Sequence, residues 1–104
     1  LAAAAANKIF VPPITSPTAN TKWTSGAAEK VTWDTTNAPA TISNRGTVVL
    51  NEAGLPIATL ADGFDLSTGS VNVTVPSGLT TNKDYSITLF GDSGNVSPAF
   101  EIDA

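Results

Sequence analysis

The sequence predicts an all-β fold: an immunoglobulin- or fibronectin III-like antiparallel β-sandwich of about seven strands. Short runs of β-prone residues alternate apolar and polar side chains, and turn residues separate these runs at the spacing usual in sandwiches. No stretch of the sequence has helical periodicity. Because a parallel α/β sheet needs crossover helices, the same pattern argues against that class.

The length of 104 residues suits one domain with its own core. Residues 9–104 are predicted to form this single β-sandwich domain. Residues 1–8 begin with Leu and five Ala, and we expect them to be disordered or to be a remnant of processing or cloning.

The first predicted strands precede residue 36. Residues 9–11 and Ile14–Ser16 are β-prone runs, and prolines follow both of them. Residues 28–35 alternate more clearly, and they place Val31 and Trp33 on the face expected to point inward.

The central segment is predicted to be a hairpin. Residues 47–50 form a dense β run, residues 51–54 a plausible loop, and residues 55–61 a weaker strand. Proline lacks the amide N–H that a central strand must donate, so Pro56 favours an edge position for this weaker strand.

Clear alternation marks the last third of the chain. Apolar residues alternate with polar ones over residues 71–75 and again over residues 85–89. Residues 91–95 are predicted to form a turn, and Phe100 and Ile102 a last inward-facing pair.

One spacing refines the fold prediction. Leu79 stands six residues before Tyr85, just ahead of a predicted strand. This spacing resembles that of fibronectin type III domains, in which the Tyr hydroxyl bonds back to upstream backbone as a tyrosine corner. The alternative is an aromatic residue that simply begins a strand.

Composition narrows the range of partners. The net charge is −4, only 13% of residues are charged, and the few basic residues are scattered. Nucleic acids and anionic membranes both need a basic footprint, so we expect neither as a partner. No apolar run approaches the ~20 residues of a membrane span. Ser and Thr, roughly a quarter of the residues, give a hydroxyl-rich surface that is common on extracellular proteins.

The chain contains no His, Cys or Met. Imidazole and thiolate metal sites are therefore excluded, as are Ser-His-Asp and Cys-His catalytic arrangements. We predict no metal, no cofactor and no enzymatic activity; a glycosidase that uses two carboxylates is the chemistry that stays open. The absence of Cys mildly disfavours secretion, since disulfides are common in secreted domains.

Two aromatic residues are candidates for binding a ligand. Trp23 lies in the polar stretch of residues 21–25, where an exposed ring can stack on a sugar; the alternative is a Trp that covers one end of the sandwich. Phe64 is a second candidate, and the same two interpretations apply to it: a ring exposed for a sugar or a ring packed on the sandwich. Trp33, which shares an inward face with Val31, is expected in the core.

Asp62 and Asp65 are the acidic candidates for the ligand site. Turns recruit Asp for bonds to backbone N–H groups, and that role is the alternative at both positions. Calcium is a further alternative there or near Asp92 and Asn95, although neither stretch has the EF-hand spacing.

Two N-glycosylation sequons are present, at residues 72–74 and 95–97. Asn72 lies on the face opposite the valines of its strand, so we expect it to be accessible and glycosylated. Pro98 directly follows the second sequon, which makes glycosylation of Asn95 less favourable.

Spaced structural residues also carry a family resemblance along most of the chain. They are Ile14-Thr15-Ser16-Pro17, Trp23, Gly26 and Val31-Thr32-Trp33 at the start; Val48-Val49-Leu50 and the Val71-to-Val75 strand with Pro76 in the middle; and Tyr85-Ser86-Ile87-Thr88-Leu89 and Ser97-Pro98-Ala99-Phe100-Glu101-Ile102 at the end. This order resembles the N-terminal domain of the fungal Ser/Thr-rich GPI-anchored family, which includes the yeast cell-wall β-1,6-glucan synthesis proteins.

The resemblance implies a secreted fungal protein of the cell wall or extracellular space. We therefore expect a non-catalytic module that binds β-glucan or organises the cell wall. The alternative function is a structural or protein-interaction domain without carbohydrate affinity, whose partner is a cell-surface protein. A monomer is the default oligomeric state.

Overall fold

The computed structural model describes residues 12–36, 45–91 and 94–104. Nine strands and a 3-10 helix form in these ranges. The strands are β1 (Ile14–Ser16), β2 (Lys22–Thr24), β3 (Ala28–Trp33), β4 (Gly46–Glu52), β5 (Leu55–Phe64), β6 (Ser70–Thr74), β7 (Asn82–Phe90), β8 (Gly94–Val96) and β9 (Phe100–Asp103), and the 3-10 helix is Leu66–Thr68.

The strands form two sheets. The smaller sheet has the order β1-β3-β6, and the larger has the order β2-β9-β7-β4-β5, with β8 added to β7 beside β9. Strands β2 and β9 run parallel, whereas the other described pairs are antiparallel. The two sheets share one hydrophobic core, which confirms the predicted immunoglobulin-like sandwich.

Most of the core is built from side chains that the alternation predicts to point inward, with Trp23 and Leu66 as additions. Strands β3 and β4 alternate buried and more exposed residues over most of their length, as does β7 up to Ile87, and this is typical of half-buried antiparallel strands. The buried apolar residues are Trp23, Val31, Trp33, Val48, Leu50, Leu66, Val73, Val75, Tyr85, Ile87, Leu89, Phe100 and Ile102.

The predicted tyrosine corner is present. The ring of Tyr85 is buried, and its hydroxyl donates a hydrogen bond of 2.8 Å to the carbonyl oxygen of Thr80. Leu79 packs against the same core. The turn before β7 is thereby tied to the strand, which supports the fibronectin-like interpretation of the Leu79-to-Tyr85 spacing.

Local structure differs from the sequence-based prediction in four places. Strand β5 continues to Phe64, so Asp62 lies in a strand and not in the turn considered for it. Residues 22–24, assigned to a polar loop, form β2, because they pair with the distant strand β9. Residues 94–96 form β8, so residues 94 and 95 belong to a strand and not to the expected turn. The β4–β5 turn comprises only Ala53 and Gly54, since Asn51 and Glu52 pair within β4. The predictions for residues 1–8, 9–11 and Asp92 lie outside the described residues.

Strand β5 lies at an edge of the larger sheet, as Pro56 indicates. It has ten residues against seven in β4, and three register shifts absorb the difference. Such bulges bend an edge strand and increase its twist, so that a second chain can pair with it only over a short stretch.

Candidate functional site

Trp23 is buried in the core of the sandwich. Its side chain is 2% exposed, and its ring meets the ring of Phe100 edge-on at a centroid distance of 4.8 Å. The β2–β9 pairing places Trp23 opposite Ile102 and fixes this position. The ring therefore presents no face on which a sugar can stack.

Phe64 closes a different part of the core. Its ring packs against Trp33 at a centroid distance of 5.5 Å and lies over Gly46, where any Cβ would collide with it. The indole N–H of Trp33 donates to the carbonyl oxygen of Leu66 at 2.8 Å. Phe64 is half-buried, and these contacts give it a packing role.

Asp65 caps the 3-10 helix. Its carboxylate accepts hydrogen bonds from the backbone N–H of Ser67 at 2.9 Å and from the hydroxyl of Ser67 at 2.8 Å. The backbone bond is the main cause that lowers the pKa of Asp65 below its ordinary value of 3.8, with the Ser67 hydroxyl and the charge of Arg45 adding to it. Asp65 thus serves the local turn.

Asp62 has a different setting on the solvent side of the larger sheet. It pairs with Thr47 across β4 and β5, and the Thr47 hydroxyl donates to its carboxylate at 2.8 Å. Thr47 in turn pairs with Phe90 of β7. Because directly paired residues project to the same side of a sheet, Asp62, Thr47 and Phe90 form one row.

We call the solvent side of β5, β4, β7 and β8 the outer face. Two cross-strand rows cover its centre, and pairing across the sheet defines each of them. The first row is Asp62, Thr47, Phe90 and Gly94, and the second is Thr59, Val49, Thr88 and Val96. With neighbouring strands about 4.8 Å apart, each row extends about 14 Å across the sheet.

Phe90 is the aromatic residue of the outer face. It is 43% exposed, and its ring occupies the space above Gly94, where a Cβ would lie 3.1 Å from Cε1. The glycine therefore gives the ring a place close to the sheet, while the rest of the side chain meets solvent. Val96, 59% exposed, extends the apolar surface beside it.

Polar groups next to these residues are held in fixed positions. Asn51 donates from Nδ2 to the Thr88 hydroxyl at 2.9 Å and lies 3.4 Å from the Ser86 hydroxyl. All three side chains lie on the outer side of the sheet, because they alternate with the inward residues of β4 and β7. Asn51 and Thr88 are buried there, 7% and 8% exposed, so their bond stabilises the sheet, and the half-buried Ser86 is the more accessible hydroxyl.

The central rows of the outer face carry little charge. Asp62 is the ionisable residue of the two rows, and the remaining members are hydroxyl, apolar or glycine residues. The ion pair of the described chain, Lys22 with Glu101 at 3.7 Å, lies on β2 and β9, beyond β7. A neutral, hydroxylated ligand fits such a surface better than an ionic one.

Of the candidate ligand residues predicted from the sequence, Asp62 lies on the outer face, and Phe90 was not among those candidates. The signal was present in the pattern: Phe90 follows Leu89 and is out of phase with the inward residues, so alternation places it on the solvent side of β7. The structure brings Asp62 and Phe90 together through Thr47, whereas Trp23, Phe64 and Asp65 lie elsewhere in the packing.

The acidic side chains are dispersed. Across residues 12–36, 45–91 and 94–104, no three Asp or Glu side chains are close enough together to hold a metal ion. No helix in those ranges is long and apolar enough to cross a membrane.

The sheet order, the shared core and the tyrosine corner define an immunoglobulin-like domain. A family model described as the Kre9/KNH-like N-terminal Ig-like domain matches residues 16–102, and the chain belongs to this family. This match confirms the resemblance to the β-1,6-glucan synthesis proteins, and it makes the chain a cell-wall-related Ig-like domain. Searches of curated proteins and of solved structures give no match.

Proposed function

We propose that this domain is a non-catalytic cell-wall module that binds β-glucan across the outer face of its larger sheet. The observation that carries the proposal is the exposed ring of Phe90 in a row with Thr47 and Asp62. The C–H face of a pyranose ring is apolar and packs on aromatic surface, while its hydroxyls need donors and acceptors around it. The outer face offers both an aromatic surface and hydrogen-bonding groups.

The geometry suits a flat, extended ligand. Each row crosses four strands, and the second row adds Val49 and Val96 as apolar surface with the exposed Thr59 as a polar neighbour. Asp62 accepts from Thr47 and keeps further lone pairs for sugar hydroxyls. Asp62 and Asp65 have roles in hydrogen bonding within the fold, which supports binding rather than acid–base chemistry.

Titration calorimetry with soluble β-1,3- and β-1,6-glucans tests the proposal. We expect heat of binding for the native chain, and an affinity at least about tenfold lower for Phe90→Ala, which corresponds to a loss of about 1.4 kcal/mol. Leu55→Ala is the matched control, because Leu55 is an exposed apolar residue at the β4–β5 turn, outside both rows. Fluorescence is a poor readout here, since Trp23 and Trp33 are both buried.

Two results would contradict the proposal. One is the absence of heat for the native chain with both glucans at millimolar sugar. The other is an equal loss of affinity in Phe90→Ala and Leu55→Ala, which would place the contact outside the outer face. Amide shifts in an NMR titration locate the contact independently, and we expect them in β4, β7 and β8.

A protein-interaction function is the second candidate, and the edge strand β5 favours it. Leu55 and Ile57 are exposed there, and an extended segment of a cell-surface protein can add to such an edge. Ile57→Lys would block that addition and leave the outer face intact. Loss of a protein partner in Ile57→Lys, with retention in Phe90→Ala, would support this candidate over glucan binding.

A further inference from the structure

The two sequons occupy very different surroundings in the folded chain. Asn72 lies in β6, on the solvent side of the smaller sheet, and both Asn72 and Thr74 are exposed. Asn95 and Ser97 lie beside β7 in the larger sheet, where Asn95 is half-buried and Ser97 is 6% exposed.

Asn72 and Thr74 project from the same face, because they are two residues apart in one strand. Their cross-strand partners on β3 are Lys30 and Ala28, which are also exposed. In the described part of the chain, no side-chain hydrogen bond involves Asn72. The side chain of Asn72 is exposed to solvent, and its amide nitrogen has no hydrogen-bond partner among the described residues.

Asn95, unlike the exposed Asn72, is held by a hydrogen bond. Its Nδ2, the atom that carries an N-glycan, donates to the carbonyl oxygen of Pro12 at 2.7 Å. The hydroxyl of Ser97 accepts from the backbone N–H of Ile87 at 3.0 Å and donates to the carbonyl oxygen of Pro98 at 3.0 Å. A sugar on Asn95 would have to occupy the space in which Pro12, itself buried, meets β8.

We propose that the domain carries one N-linked glycan, on Asn72, and none on Asn95. In the transfer, Nδ2 of Asn72 forms a bond to C1 of the first sugar. The bond from C1 to oxygen of a lipid-pyrophosphate-linked oligosaccharide breaks, the lipid pyrophosphate leaves, and one amide proton is released. At Asn95, Pro98 after the sequon disfavours transfer to the nascent chain, and the Pro12 contact disfavours a glycan in the folded one.

The glycan has a structural consequence for the two faces. Attached to Asn72, it covers the solvent side of β3 and β6 in the smaller sheet. Phe90 lies on the solvent side of the larger sheet, across the core from that glycan. The outer face therefore stays open in the glycosylated protein.

The test is secretion of the full chain from a eukaryotic host, followed by intact mass and peptide mapping. Enzymatic release of an N-glycan leaves aspartate in place of asparagine, so mapping of the native chain reads both sites in one sample. We expect the glycan and the converted residue at position 72 only. A glycan at position 95, or an unmodified position 72 in secreted protein, would overturn the proposal.

Variants at Thr74 provide matched controls that keep the fold. Thr74→Ser preserves the sequon and should keep the glycan, whereas Thr74→Ala destroys the sequon and should lose the whole mass increment. Thr74 is exposed, so neither change affects packing. A glycan retained in Thr74→Ala would overturn the assignment to Asn72. The outcome is independent of glucan binding, since glycosylation is read by mass and glucan affinity by heat.

Discussion

At the scale of single residues, Tyr85 combines two roles in one side chain. Its ring fills the core between the sheets, and its hydroxyl holds the segment that enters β7 through the carbonyl of Thr80. Burying the ring is favourable only if the hydroxyl has a partner, because a buried polar group without a hydrogen bond costs free energy. The corner meets both requirements.

Replacing Tyr85 with Phe isolates the hydrogen bond from the packing. We expect Tyr85→Phe to lower the free energy of unfolding by about 1 kcal/mol, since the ring stays in place and one bond is lost. Urea denaturation measures the change. Thr80→Ala is the control, because the acceptor is a backbone carbonyl, and it should unfold close to the native midpoint. Equal losses in the two variants would contradict this account.

The sequence was least informative about the surroundings of the individual residues considered for the ligand site. Trp23 sits among polar neighbours in sequence, yet it lies in the core because β2 pairs with the distant strand β9. Phe90 is placed on the solvent side by the alternation of β7, but its row partners Thr47 and Asp62 come from two other strands. The burial of Trp23 and the grouping of Phe90 with Asp62 therefore depend on strand pairing, which neighbouring residues do not decide.

At the scale of elements, the β4–β5 hairpin contains a strained turn. Ala53 has φ of 52° and Gly54 has φ of 80°, so both turn residues are in the left-handed region. That geometry is typical of a type I′ turn, which Asn-Gly adopts most readily. The left-handed conformation costs free energy for any residue with a Cβ, and the cost is smaller for Asn and Asp. Ala53 therefore carries this cost.

We therefore expect Ala53→Asn to stabilise the domain. The gain should be about 0.5–1 kcal/mol, because Asn tolerates the left-handed region better than Ala. Thermal unfolding is the measurement, with a rise in Tm of roughly 4–8 °C per kcal/mol for a domain near this size. The reciprocal variant, Gly54→Ala, should lower Tm. A fall in Tm for Ala53→Asn would show that the turn is not strained in solution.

The strands differ in how well they could be predicted from the sequence. The long strands β3 and β7 were predictable because alternation over five or more residues is a local property of the chain, and β4 was predictable from its dense run of β-prone residues. The short strands β2 and β8 were not, since three residues carry too little pattern and their pairing is with distant segments. The exact turn at Ala53–Gly54 required the register between β4 and β5.

At the scale of the whole molecule, stability depends on pH through Asp34 and Asp65. Thr36 donates its hydroxyl and its backbone N–H to Asp34, and Ser67 donates the same two groups to Asp65. These bonds lower the pKa of each carboxyl below its ordinary value of 3.8. A group with a lowered folded-state pKa stabilises the protein above its unfolded pKa, and this contribution is lost as pH falls through the folded value.

The expected outcome is a loss of stability from Asp34 and Asp65 only below about pH 4, because both carboxyls stay ionised above it. Denaturation midpoints measured at a series of pH values test this, and NMR titration of the two carboxyls reads the pKa values directly. Ser67→Ala is the control: it removes one of the two bonds, so the pKa of Asp65 should move back towards its ordinary value. Titration of Asp65 at or above 3.8 in the native chain would contradict the account.

The two faces of the whole sandwich differ in chemistry. The solvent side of the smaller sheet presents Asn72 with Lys30, whereas the outer face of the larger sheet presents Phe90 with hydroxyl neighbours. A glycan on one face and a glucan on the other do not compete for the same surface. The proposed glycan and the proposed ligand would therefore occupy different surfaces of the domain.

The sequence by itself determined the fold class, the inward residues of the long strands and the family. Those features rest on period-two alternation and on the spacing of structural residues, which are properties of the linear chain. Only the tertiary structure decided that Trp23 packs on Phe100, that Phe90 shares a row with Thr47 and Asp62, and that Nδ2 of Asn95 donates to Pro12. These outcomes depend on pairings between segments far apart in the chain, and no local pattern encodes them.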